Sequence, residues 1–215
     1  LDEANKGFVD ALAARGFKEG KNVKFDFQNA QADQSNLRNI AQRFTSNKVD
    51  LIGAIATPAA QTMANATKTT PIVATAVTDF EIAKLVKKND KPGTNVTGSS
   101  DMAPIDTLVE LMLKIYPETK KVGTIYSSSE INSERQVQIF KDIAKAKKLE
   151  VKEATVSSVN DIQQAAQSLV GKVDAIYIPT DNTIASAVPA LLKITETAKL
   201  PIFAGEGGMT KEGCF

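Results

Sequence analysis

Apolar residues recur along this 215-residue chain with two different periods, and the two alternate. Short, mostly apolar runs at 51–56, 72–77, 122–126 and 173–178 are rich in β-branched and small residues, the composition of strands covered on both faces. Val23, Phe25 and Phe27 alternate with polar neighbours as a further strand, and 95–97, 149–156 and 201–204 complete the set. Between these runs apolar residues return every three or four positions, the spacing of one helix face. Phe8, Ala11, Leu12 and Phe17 mark a first helix, with Gly16 and Gly20 punctuating its exit. Leu37, Ile40, Ala41 and Phe44 mark a second, and Ile105, Leu108, Met112 and Ile115 another. Ile162, Ala165 and Leu169 give one more face, 130–147 and 184–197 read as helices, and 81–86 as a short one. Strands alternating with helices predict an α/β fold of parallel sheets covered by helices on both faces. The scheme runs through twice, which predicts two similar lobes, 1–98 and 99–204, joined through the small polar segment Thr97-Gly-Ser-Ser-Asp101. The chain opens directly in a helix and stops soon after Gly205-Glu-Gly-Gly208, so both ends read as truncated.

Composition narrows the chemistry. With no histidine and a single cysteine, Cys214, the chain has no His-based triad, no Cys/His zinc site and no internal disulfide. The formal net charge of +1 gives no reason to expect nucleic acid as a partner, and the lysines at 84, 87, 88 and 91 or 145, 147 and 148 read as solvated faces. No Walker-type loop or GxGxxG motif is present. No metal or other cofactor is expected. No stretch is long and apolar enough to span a bilayer, and if the protein is exported its targeting segment lies outside this sequence.

One junction stands out: Asp50-Leu-Ile-Gly-Ala-Ile-Ala-Thr-Pro-Ala-Ala-Gln61 reads as a buried strand running without a spacer into a helix. Thr57 is placed to be the N-cap and Pro58 the first helical residue, while the small Ala59 and Ala60 leave the first-turn N–H groups accessible. Such a junction suits an anionic group. In open α/β sheets ligands bind at the carboxyl ends of strands. Those ends carry Thr57; Thr78 and Asp79; Ser100 and Asp101; Ser127, Ser128 and Glu130 with Asn132 and Ser133; Asp181 and Asn182; and Glu206. Each has a plainer reading. Thr57 as a cap, Asp79 as an Asx-turn residue, Asp181 with Asn182 as caps of the next helix, Glu130 as a dipole partner and Ser127–Ser129 as a polar loop all stay open. Tyr126, Tyr177 and Phe80 are either stacking groups for an aromatic ligand or core.

Several phrases together resemble a known family. They are Gly7-Phe8 with Gly16-Phe17-Lys-Glu-Gly20-Lys-Asn-Val23, Ile55-Ala-Thr-Pro-Ala-Ala-Gln61, Ala76-Val-Thr-Asp79, Pro92-Gly-Thr-Asn-Val-Thr-Gly98, Ser100-Asp101, Asn132-Ser133 and Ile178-Pro-Thr-Asp-Asn182. In this order they resemble the substrate-binding proteins of bacterial ABC importers, in particular the tryptophan- and aromatic-amino-acid-binding lipoproteins. Phe80 departs from that pattern, where proline is more usual. The resemblance implies a periplasmic-binding-protein type I fold: two Rossmann-like lobes that close over a ligand like a clam. It also implies a first strand before Leu1, a return crossing beginning in 205–215, a monomer, and a membrane permease as partner. For an amino-acid ligand, the carboxylate would sit at Thr57 to Ala60, with donors from Thr78, Ser100, Ser128 and Asn132, and the ammonium at Asp101 or Asp181. An effector domain of a transcription regulator shares the fold, but no DNA-reading segment is visible; an enzyme would need groups this chain lacks.

Overall fold

A computed structural model describes residues 1–215, which form two compact units, Leu1–Asp101 and Met102–Phe215. Unit 1 runs α1 (Asp2–Ala14), α2 (Gln34–Ser46), β1 (Ile52–Ile55), α3 (Thr57–Ala66), β2 (Ile72–Val77) and β3 (Val96–Ser100). Its sheet is parallel throughout, in the order β1-β2-β3. In β2 Ile72, Ala74 and Val77 are buried and the residues between them half-buried, and α2, with Leu37 and Ala41 buried, packs against α3. The Asp33 side chain caps α2 by accepting from the Asn36 N–H at 2.7 Å. α1 is a helix where one was expected, but it buries no residue fully; its Phe8 ring lies against β1, 3.0 Å from where a Cβ on Gly53 would stand.

Three local expectations fail in this unit. Residues 23–27 form no strand, only an isolated bridge from Glu19 to Val23. A strand needs a ladder partner; here Phe25 and Phe27 stack on each other with ring centroids 5.3 Å apart. Residues 81–86 are successive turns rather than a helix, because Lys84 takes a left-handed backbone (φ 57°) and Leu85 N–H bonds back to the Phe80 carbonyl. The segment read as a flexible crossing is largely strand: β3 runs through Ser100, paired to β2.

β3 approaches β2 unusually closely at Gly98. A Cβ there would stand 1.8 Å from the Ala74 carbonyl oxygen and 2.9 Å from the Phe80 ring. The register of β2 shifts between Ala74 and Val77 at the same place.

Unit 2 runs α4 (Ile105–Ile115), β4 (Lys121–Ser127), α5 (Ile131–Ala146), β5 (Glu150–Val156), α6 (Ile162–Leu169), β6 (Ala175–Ile178), α7 (Asn182–Ala185), α8 (Val188–Thr197), β7 (Ile202–Ala204) and α9 (Gly207–Glu212). Its four parallel strands are ordered β5-β4-β6-β7. Helices α6 and α8 cover one side with Ile162, Ala166, Leu169, Val188 and Leu191; α4 and α5 contribute Val109, Met112 and Phe140 to the other core. Phe140 stacks on Tyr177 at 4.3 Å. Burying one such large apolar side chain stabilises by roughly 1.5–3 kcal/mol. Tyr177 and its register partner Thr124 are both fully buried, and neither hydroxyl has a hydrogen-bond partner.

The single helix expected over 184–197 is divided into α7 and α8. Ala187 leaves helical geometry (φ −137°), and Pro189 in the first turn of α8 has no N–H to continue α7. Residues 205–215 pack within unit 2: Gly205 N–H extends the β6 ladder to the Ile178 carbonyl, and Phe215 exchanges backbone bonds with β7 at 2.8 and 2.9 Å.

Gly98→Ala is expected to destabilise unit 1 by about 3 kcal/mol or more, since the clash is with backbone rather than with a movable side chain. A urea unfolding curve that leaves the midpoint unmoved would contradict the close approach.

Candidate functional site

The strand ends of unit 1 place Thr57, Thr78, Asp79, Ser100 and Asp101 along one sheet edge, in strand order. At β1 the chain enters α3 through Ala56, which is the N-cap in place of Thr57. Ala56 has φ 80° and ψ 151°, a region almost reserved for glycine, at a cost of order 1–3 kcal/mol. Thr57 is therefore the first helical residue and Pro58 the second. This shortens the expected N–H cradle. Pro58 has no donor and Ala60 N–H is committed to the Ala56 carbonyl at 3.0 Å, which leaves the N–H groups of Thr57 and Ala59 without an acceptor in the helix. The Thr57 side chain is only 2% exposed, and its hydroxyl has no partner. A buried hydroxyl left unmatched is costly, so this one is conspicuous.

Beside it, at the ends of β2 and β3, three of the expected residues are linked. Ser100 Oγ donates to the Thr78 carbonyl at 2.7 Å, the Thr78 side chain bonds the Asp101 carboxylate, and Asp101 N–H donates to the Val77 carbonyl at 3.1 Å. Partial burial of the Asp101 carboxyl raises its pKa above the ordinary value, against the lowering pull of its own backbone N–H and of the Thr78 side chain. Asp79 is turned to local work: its Oδ1 accepts from the N–H groups of Glu81 and Ile82 at 3.1 and 3.0 Å, an Asx-turn. Phe80 is core, its ring packed near Gly98.

In unit 2 the strand-end residues form a closed network. Asp181, 1% exposed, caps α7 by accepting from Ile184 N–H at 2.9 Å and ties it to the end of β4 by accepting from Ser127 N–H at 2.7 Å. Glu130, 3% exposed, reaches the same helix end: Oε1 accepts from the Thr183 N–H and hydroxyl, both at 2.9 Å, and Oε2 from Asn182 N–H at 3.1 Å and its side-chain amide at 2.6 Å. The Thr180 carbonyl accepts from the Asn132 amide at 2.9 Å and from the Ser133 hydroxyl at 3.2 Å, while Gln136 grips Thr180 through both its N–H and its hydroxyl. Asn132 Oδ1 is buried with no partner. Ser128 is exposed, its N–H bonded to the Val156 carbonyl at 3.0 Å, and Glu206 is the half-buried residue preceding α9.

Two residues in this picture escaped the sequence reading. Nothing in the composition around Ala56 announces its backbone, and Gln136 looked like an ordinary helix residue until α5 aimed it at Thr180. Of the aromatic candidates, Phe80 and Tyr177 are core, while Tyr126 is half-buried and donates to Glu153 at 2.9 Å, with partial burial and that bond pushing its hydroxyl up to about 12.

Burial, then repulsion from Glu130, pushes the Asp181 carboxyl up to about 6. A carboxyl that holds its proton more tightly folded than unfolded stabilises the fold below its unfolded pKa, and this contribution is lost as pH rises through the folded value. Across the window from pH 4 to pH 7, wild-type stability should therefore gain on that of Asp181→Asn as the pH falls. Melting temperatures of the two proteins with a constant offset over that window would be the contrary result.

The two parallel sheets, each flanked by helices, have the architecture of the type I periplasmic binding proteins. Compared with known proteins, the chain is 49% identical over 99% of its length to a tyrosine-binding protein of Clostridioides difficile (strain R20291). It spans 62% of that relative. Among solved structures it resembles an ABC domain from Streptococcus pneumonia in complex with L-Trp, at 42% identity and a TM-score of 0.94, over 97% of this chain and 70% of the other. A conserved domain protein from Vibrio cholerae matches at 39% identity and a TM-score of 0.96, over 99% of this chain and 72% of that one. The family described as ABC transporter substrate binding protein matches residues 1–215, the full length given, and the chain belongs to that family.

Proposed function

We propose that this chain is the solute-binding part of a bacterial ABC uptake transporter, which holds an aromatic amino acid and passes it unchanged to a membrane permease. One observation carries the reading: the carboxyl edge of unit 1 offers unmatched donors and an anionic acceptor on one row. The N–H groups of Thr57 and Ala59 and the Thr57 hydroxyl suit a carboxylate, and Asp101, two strands away, suits an ammonium. An α-amino acid carries both. Asp101 is the better ammonium acceptor than Asp181, whose two oxygens already accept backbone N–H bonds in a buried network. In unit 2, Ser128 and Asn182 keep exposed or half-buried surface at the strand ends and are the groups proposed to complete recognition. The aromatic side chain is inferred from the relatives, one named for tyrosine and one solved with L-Trp. Such a protein works outside the cytoplasm, in the periplasm or held to the membrane by a lipid, as a monomer and without a cofactor.

Titration calorimetry with L-tyrosine, L-tryptophan and L-phenylalanine is expected to show binding, which weakens sharply for tyramine, the same ring without a carboxylate. Tight binding of a sugar or nucleobase, with none of any amino acid, would refute the assignment. Thr57→Val keeps the side-chain shape and removes a hydroxyl that has no partner, so the fold should be as stable as before or slightly more so. Affinity should nevertheless drop by about tenfold or more, the worth of one bond to a charged group. Unchanged affinity in this variant would remove Thr57 from the site.

A further inference from the structure

Unit 1 holds alanine in backbone conformations that favour glycine at the ends of two neighbouring strands. Ala56 follows β1 with φ 80°, and Ala76 lies near the end of β2 with φ 55°, inside the register shift between Ala74 and Val77. Several other residues with positive φ have an ordinary explanation: Lys48, Lys148 and Lys199 each come just after the last residue of a helix cap, where a left-handed residue is routine. Ala56 and Ala76 end no helix. They sit side by side at the carboxyl edge, joined through the Thr75 carbonyl, which accepts from Ala56 N–H at 3.0 Å.

Each strained residue also leads directly into groups of the proposed site. The Ala56 carbonyl accepts the first bond of α3 from Ala60, so its peptide sets the direction of the Thr57 and Ala59 N–H groups. Ala76 is followed by Val77, whose carbonyl holds Asp101 N–H, and by Thr78, which bonds the Asp101 carboxylate. The unpartnered, buried Thr57 hydroxyl lies in the same turn and marks it independently as a place where a polar group is owed a partner. Glycine would fit both positions without strain, but glycine also opens many other wells. Alanine, forced into one narrow well by the surrounding bonds, leaves the edge with a single arrangement.

We propose that Ala56 and Ala76 are positioning residues for ligand binding. Their strained backbones fix the donor pair at α3 and the acceptor at Asp101 in receptive geometry before ligand arrives, so the ordering cost is met on folding rather than on binding. The inference rests on the reading of unit 1 as an amino-acid site.

The test uses the whole chain, L-tyrosine as probe and three variants: Ala56→Gly, Ala76→Gly and, at the opposite edge, Lys48→Gly. In the two alanine variants the melting temperature without ligand should hold or rise, while Kd weakens by about tenfold. Hydrogen exchange of the Thr57 and Ala59 amides in the ligand-free protein should speed up in Ala56→Gly. Lys48→Gly should shift the melting temperature alone. If L-tyrosine binds the wild type and both alanine variants within twofold of one another, the strain is local and the positioning role is overturned. A loss of affinity matched by a lowered melting temperature would assign the two residues to folding and overturn it equally. A wild-type chain that binds no aromatic amino acid would instead overturn the proposed function, and this role with it.

Discussion

A strand paired in parallel with its neighbour cannot be joined to it by a tight hairpin. The chain has to travel back along the sheet, here usually as a helix, before the next strand begins. Every strand in a unit therefore ends on the same side, and whatever follows a strand is delivered to that side. This constraint gathers residues as distant in sequence as Thr57, Thr78 and Asp101 on one edge of unit 1, and Ser127, Asp181 and Glu206 on one edge of unit 2. It also fixes the polarity of the helices, because α3 and α7 both begin where a strand stops and present their N–H groups there.

The two units use that shared geometry in opposite ways. Unit 2 satisfies its own helix end: two buried carboxylates, Asp181 and Glu130, take up the first N–H groups of α7 and lock them to β4 and α5. Burial, and after it repulsion from Glu130, holds the Asp181 carboxyl above its ordinary pKa, and that is the cost of the arrangement. Unit 1 brings no such carboxylate to α3. It leaves two N–H groups and a hydroxyl open and keeps its acidic group two strands away. One edge is thus self-contained, and the other keeps donors unmet.

Much of the architecture was legible in the apolar pattern, since burial on both faces of a parallel sheet writes continuous apolar runs such as Ala175–Ile178. The places where the pattern misled have physical causes that one-dimensional reading cannot weigh. Val23, Phe25 and Phe27 alternate like a strand but find no ladder partner, and 184–197 keeps helical spacing across a break that Pro189 and the backbone of Ala187 impose. At the candidate site, sequence located the edge but not the use of each side chain. Thr57 lost the capping role to Ala56, and Asp181 and Glu130 became capping groups, because the distances that decide between capping and binding exist only after folding. The proposed aromatic preference comes only through likeness to relatives, as Phe80 and Tyr177 are buried and the half-buried Tyr126 is tied to Glu153.

The hydroxyls of Thr124 and Tyr177, register partners on β4 and β6, are both buried with nothing to bond, and this has a wider meaning. Valine and phenylalanine would fill the same space without stripping a polar group of water, so this core is not packed to its thermodynamic optimum. Natural sequences need only stay above the stability that folding requires, so a core can keep polar groups that packing alone would not choose.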